Sequence, residues 1–249
     1  MNLHWWAFWY AMAFLTRLPT PYLKRVDEAV AARSLVFYPL IGCLLGLSLL
    51  AFTAACVFYN PQVSLLLLAA LLLFIWVVFS GALHLDGLAD SADAWVGGFG
   101  DKERTLAIMK DPRSGPIAVV VLVLLLLLKF AALVALLEND SGLLLVVVPW
   151  LARCLLPLLF LTTPYVRAGG LGQALAEHLP RRQLPWVLAA NVGLILLFGW
   201  PGLLALLVAG LVFLWLRSMM LKRLGGTTGD TAGALLEIAE CAVLVALAC

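Results

Sequence analysis

Charge is what this sequence has least of. Only 12% of its 249 residues are Asp, Glu, Lys or Arg, roughly half the share of a soluble domain. Hydrophobic residues make up 64%, and the mean hydropathy is +1.07. So little charge cannot cover a water-facing surface, which excludes an ordinary soluble domain and leaves a polytopic membrane protein. The five cysteines (Cys43, Cys56, Cys154, Cys241, Cys249) contain no Cys-x-x-Cys pair. That excludes a zinc site or a disulfide framework and leaves the thiols as small buried hydrophobes. No basic segment precedes the first apolar residues, so no cleavable signal peptide is expected. The net charge of +2 carries no information by itself, and no nucleic-acid partner is expected.

Long apolar runs are what the chain has instead. They lie at about 35–58, 62–80, 116–137, 142–162, 185–199, 202–217 and 230–248, and a spanning helix needs roughly 20 such residues. Before them, residues 1–22 are crowded with Trp5, Trp6, Phe8, Trp9, Tyr10 and Phe14, the composition of a helix lying in the membrane interface. The expected fold is therefore all-α: a bundle of about seven transmembrane helices plus an N-terminal interfacial helix. One membrane-embedded domain covers 1–249, with 1–33 as its interfacial and cytoplasmic N-terminal segment and 81–115 as a cytoplasmic loop.

The basic residues orient this bundle. Alternate connections hold Arg17, Lys24, Arg25 and Arg33; Lys102, Arg104, Lys110 and Arg113; Arg167, Arg181 and Arg182; and Arg217, Lys222 and Arg223, which is 14 of the 16 Lys and Arg. The intervening connections hold none. By the positive-inside rule the N-terminus and the basic loops face the cytoplasm of a cell inner membrane, and Cys249 lies outside. The two exceptions, Lys129 and Arg153, fall within spans. Ionisable residues inside the membrane are costly and are functional candidates by default; Lys129, about eight residues or roughly 12 Å from its span's outer end, is also within snorkelling reach.

Three polar clusters share the cytoplasmic side. In the first, Ser80 to Asp93, helical spacing puts Asp86, Asp90 and Asp93 along one face beside His84. Three carboxylates a turn apart repel one another unless something positive holds them. Hard oxygen ligands suit Mg²⁺, Mn²⁺ or Ca²⁺. The second cluster, Ile108 to Pro116, has Ser114 as a candidate N-cap before Pro116. Its free amides, with Gly115, Lys110 and Arg113, suit an anionic phosphate. The third, Gly225-Gly226-Thr227-Thr228-Gly229-Asp230, is a glycine loop with hydroxyls at a helix start, and Glu237 follows on the same face as Asp230. Asp230, Glu237 and the three aspartates are the candidate metal ligands, and Thr228 is a candidate phosphate contact. Together these are the parts of metal-assisted phosphoryl transfer, and composition and spacing reach no further than that reaction class.

Four segments carry a more specific resemblance. His84-Leu85-Asp86-Gly87-Leu88-Ala89-Asp90-Ser91-Ala92-Asp93, Ile108-Met109-Lys110-Asp111-x-Arg113-x-Gly115, Phe14-Leu15-Thr16-Arg17-Leu18-Pro19, and Gly225-Gly226-x-Thr228-Gly229-Asp230 with Glu237 occur in order along the chain. The sequence resembles the cobalamin-5′-phosphate synthase family (adenosylcobinamide-GDP ribazoletransferases). The resemblance implies that α-ribazole or its 5′-phosphate attacks adenosylcobinamide-GDP, that GMP leaves, and that Mg²⁺ is required. His84, Asp86, Asp90 and Asp93 become the implied catalytic residues, and 81–115 the catalytic loop. The implied partners are those two substrates and the lipid bilayer, with a homo-oligomer left open. Pro112, Ser114 and Pro116 depart from the family pattern, which bears only on the cap. A CDP-alcohol phosphotransferase is the alternative, but its DGxxAR pattern needs Arg where Asp90 stands. A transporter is a weaker one, since no internal repeat is present.

The last span carries Glu237 and Glu240. Counted at helical rise, Glu240 and Arg153 both lie about 14–15 Å below the cytoplasmic face. Opposite charges at equal depth should meet rather than stand alone in lipid. Arg153 is therefore expected to point into the bundle, contact one of these acids, and close the floor of the site.

Overall fold

Where lipid replaces water, backbone hydrogen bonds must close within the segment, so the long apolar runs fold as helices. The computed structural model describes residues 3–23 and 27–249; Lys24 and Arg25 of the first basic group lie outside the described residues. Among the described residues there are twelve α-helices: α1 (Leu3–Leu15), α2 (Glu28–Ser34), α3 (Tyr38–Tyr59), α4 (Leu65–Ser80), α5 (Leu83–Gly97), α6 (Lys102–Ile108), α7 (Pro116–Glu138), α8 (Val147–Thr162), α9 (Leu171–Glu177), α10 (Leu184–Leu196), α11 (Trp200–Leu224) and α12 (Gly229–Ala248). The protein is an all-α polytopic membrane protein.

All seven expected apolar runs become helices, but they are not equally long. Among the described residues five continuous helical segments are long and apolar enough to cross alone: Glu28–Tyr59, Pro116–Glu138, Gly142–Thr162, Trp200–Leu224 and Gly229–Ala248. The other two runs are shorter, α4 with 16 residues and α10 with 13. The 81–115 stretch, expected as a loop, is largely the helices α5 and α6. α4 and α5 meet at 87°, because Gly81 (φ 64°) and Ala82 (φ 56°) are both left-handed and reverse the chain in two residues. Arg17 braces that turn: its N–H donates to the Phe79 carbonyl at 2.7 Å. Turned by this bend, α5 packs against α12, α7 and α6.

α12 is the centre of the bundle, packed on α5, α11, α7 and α8. Its buried face runs from Thr231 to Leu244. α7 and α11 each leave a stripe of Val and Leu exposed, among them Val120, Val123, Leu124, Leu127, Leu207, Leu211 and Leu214.

The intramembrane charges form one neutral network. Lys129 Nζ lies 2.6 Å from both Glu237 Oε2 and Glu240 Oε2, over the Trp76 ring at 5.1 Å. Arg153 Nη1 donates to Glu240 Oε1. The expected Arg153–Glu240 contact is therefore present, with the guanidinium inside the bundle. Lys129 does not snorkel: only 3% exposed, it points to two acids on α12 instead of the headgroups. Two carboxylates at that depth need two cations, and one arginine is not enough.

Candidate active site

The site begins where α5 crosses α12. A Cβ on Gly87 would stand 2.9 Å from the Asp230 carbonyl oxygen, and one on Gly233 would stand 3.2 Å from that of His84. The two glycines let the backbones touch, and this brings Asp86 and Asp90 of α5 to Asp230 of α12. The α12 start is itself fixed. Thr228, not Asp230, is the N-cap: its Oγ1 accepts from Thr231 N at 3.2 Å, and Thr231 Oγ1 accepts from Thr228 N at 2.9 Å. This capping box is clamped to the segment after α8, where Val166 N donates to the Thr227 carbonyl (2.9 Å) and Thr227 N to that of Pro164 (2.8 Å). The clamp delivers Arg167, whose Nη1 lies 2.6 Å from Asp230 Oδ2.

Asp86, Asp90 and Asp230 are close enough to repel one another. Partial burial first, and then the charges of Asp86 and Asp230, push Asp90 up to about 6. Three carboxylates against one guanidinium leave an excess of negative charge, an arrangement that gains from a cation. Among the described residues, no group of three or more His, Cys, Asp or Glu side chains is placed to hold a metal ion. Mg²⁺ needs fewer, since it takes one or two carboxylates and fills its other positions with water and phosphate oxygens.

Asp90 stands one turn along α5 from Asp86, and Asp86 and Asp230 border a cavity of about 480 Å³. Its mouth carries Asp86 and Lys110, both exposed, with Arg167 and Asp230 beside them; its floor is apolar, with Tyr38, Leu156 and Phe160 buried. His84 also lines the cavity; it is 4% exposed, and its Nδ1 has no hydrogen-bond partner. Arg153 and Glu240 lie near enough to His84 to act on it electrostatically, so the charge network stands behind the site.

The remaining candidates are held elsewhere. Asp93 gives its carboxylate to the first turn of α7, accepting from Gly115 N at 2.5 Å and Ala118 N at 2.9 Å. This corrects the expected Ser114 cap: Gly115 occupies the cap position, Ser114 is exposed, and the amides expected to be free are taken by Asp93. Arg113 is turned to solvent and chelates Asp111 at 2.6 Å, holding that carboxyl down at about 2. Glu237 faces Lys129 inside the bundle, about two turns along α12 from Asp230. Thr228 is buried in its capping box. Sequence reasoning passed over Arg167 as one more loop cation and left Tyr38 and Tyr165 unremarked. The only available signal was a basic residue just ahead of Gly169-Gly170 beside a span end.

Members of one family match this chain along nearly its whole length. The family model described as cobalamin-5-phosphate synthase matches residues 7–248. An adenosylcobinamide-GDP ribazoletransferase of Ectopseudomonas mendocina (strain ymp) is 64% identical over 238 residues, 96% of each chain. One of Pseudomonas aeruginosa (strain UCBPP-PA14) is 64% identical over the same shares. One of Pseudomonas fluorescens (strain Pf0-1) is 59% identical over 241 residues, 96% of this chain and 98% of the relative. No solved structure matches. Full-length identity at this level leaves one conclusion: the chain belongs to the cobalamin-5-phosphate synthase family.

Proposed function

We propose that the protein joins α-ribazole, or its 5′-phosphate, to adenosylcobinamide-GDP with release of GMP. The relatives' shared activity supports this reading, and one observation carries it on this chain: Asp86, Asp230, Arg167 and Lys110 converge on a cavity with an apolar floor. Such a cavity suits a nucleoside inside and a diphosphate at the rim. A ribazole hydroxyl attacks the phosphoryl group that bears cobinamide. The new O–P bond forms as the bridge between the two phosphoryl groups breaks, and GMP leaves with the bridging oxygen.

Each residue then has a task. Lys110 and Arg167 hold the diphosphate and offset charge building on the departing GMP. Arg167 is kept in place by Asp230, so it is oriented before substrate arrives. The α5 groups, Asp86 and Asp90 with His84 below them, are placed to take the hydroxyl proton. Asp93 sets the α5–α7 distance that brings Lys110 to the rim. We propose Asp86 and Asp230, the two carboxylates lining the cavity, as the groups that would hold Mg²⁺, which when bound supplies positive charge to the phosphate oxygens. The basic loops support an inner-membrane protein with its cavity open to the cytoplasm and Cys249 outside.

The test is GMP release by purified protein in detergent. It should require both adenosylcobinamide-GDP and α-ribazole and should fail with a CDP-alcohol and diacylglycerol. Release of CMP from the lipid precursor, with none of GMP, would overturn the reading.

A further inference from the structure

Tyr38 is 1% exposed and its Oη has no hydrogen-bond partner. The Ser34 hydroxyl is near enough to hydrogen-bond it, but gives its own proton to the Ala31 carbonyl, 2.5 Å away, and so leaves the Tyr38 O–H as a donor with no strong acceptor. His84 Nδ1 is the second unsatisfied polar atom on the same cavity wall. Buried polar groups nearly always have a partner, so two orphans on one wall mark where a ligand's atoms belong. The surroundings are aromatic and dry. Phe14 stacks on Tyr38 (centroids 6.2 Å, planes 20° apart) and Phe160 on Tyr165 (6.2 Å, 27°), and Leu156 lines the same cavity.

Three ring systems compete for this floor, given the proposed reaction on which the argument rests: a corrin macrocycle, guanine, and the azole of ribazole. A cavity of about 480 Å³ is the size of one drug-sized ligand, so the macrocycle stays outside. Guanine presents several donors and acceptors around its edge. A floor offering one phenol and one imidazole would leave most of them buried without partners. An azole base joined to ribose is flat and apolar and keeps a single free ring nitrogen, an acceptor that one O–H satisfies.

We infer that the floor of the cavity is the seat of the acceptor's azole base, with Tyr38 Oη donating to the free ring nitrogen and Phe14 and Phe160 packing against the ring. The ribose then lies past His84 Nδ1 and carries the hydroxyl toward Asp86 and Arg167 at the mouth. The guanosine and the macrocycle remain at the rim. Tyr38 is a specificity residue and touches no reacting atom.

Steady-state kinetics on the full-length protein in detergent tests this. Tyr38→Phe should raise KM for α-ribazole roughly fivefold, the usual effect of one hydrogen bond, with kcat and KM for adenosylcobinamide-GDP within twofold of wild type. An α-ribazole analogue with C–H in place of the free ring nitrogen should lose the same factor in wild type and nothing further in Tyr38→Phe. Phe160→Leu should raise KM for α-ribazole alone, which tests the seat even if Tyr38→Phe folds badly. A rise in KM for adenosylcobinamide-GDP instead would put guanine on the floor and overturn the inference, with the transfer reaction standing. The same holds if wild type accepts the C–H analogue without penalty. Wild-type protein that releases no GMP with any acceptor overturns the reaction itself.

Discussion

Replacing Lys129 by Met is the sharpest test of the bundle's interior. Met keeps the length and the apolar stem, so the change removes charge and little else. Lys129 Nζ now lies 2.6 Å from both Glu237 and Glu240, and Arg153 contacts Glu240. Without the ammonium, two carboxylates share one guanidinium, leaving a net charge of −1 among buried groups. Breaking a buried ion pair on one side costs about 3–5 kcal/mol, and polar contacts in membrane bundles run weaker than in soluble cores. We therefore expect about 3 kcal/mol, or roughly 6–12 °C in melting temperature for a chain of this length. The assay is the monodisperse fraction after heating purified protein in detergent. Lys129→Met with Glu237→Gln restores neutrality and should recover most of the loss. A single variant that melts with wild type would refute the account, as would a double variant no better than the single.

Other expectations follow from the same contacts. Gly87→Val should drive α5 off α12, since even a Cβ would stand 2.9 Å from the Asp230 carbonyl; overpacking costs about 1–3 kcal/mol, and GMP release should fall at least tenfold (order of magnitude) with membrane insertion intact. Asp93→Asn weakens the only charged acceptor seen at Gly115 N and Ala118 N; the melting point should drop by the equivalent of about 1 kcal/mol, as for loss of a helix cap. A reporter fused after Cys249 should read as outside, and one inserted near Gly100 as cytoplasmic; the reverse pattern would put the cavity on the wrong side for a nucleotide-activated substrate.

The sequence made some of this legible through rules that need no partner. Depth along a helix follows from counting residues, so Arg153 and Glu240 met as the count required. Counting does not tell which way a side chain turns. Lys129 lay within snorkelling distance of an end, and only the two α12 acids opposite it decide that it stays inside. The i, i+4, i+7 spacing of Asp86, Asp90 and Asp93 put three carboxylates on α5, but their fates separate because different elements reach them. α12 brings Asp230 to the first two, and the start of α7 brings amides to the third. Ser114 failed as a cap for the same reason: a local rule lost to an acceptor from 22 residues away. The α4–α5 bend was hidden because Ala82, at φ 56°, does not look like a turn residue. Arg167 acquires meaning only through the clamp between 164–166 and Thr227, which no local pattern encodes.

The central claim is that the α5–α12 aspartates and Arg167 assemble one transfer site at the mouth of the cavity. GMP release from adenosylcobinamide-GDP, followed as Mg²⁺ is titrated into wild type, Asp90→Asn and Arg167→Gln, tests it most directly. The account predicts Mg²⁺-dependent release by wild type and a loss of at least a hundredfold (order of magnitude) in Asp90→Asn, as when a group that stabilises transition-state charge is removed. It further predicts a large fall in Arg167→Gln that added Mg²⁺ does not rescue. Wild-type turnover in either variant, or release that ignores Mg²⁺, would contradict it.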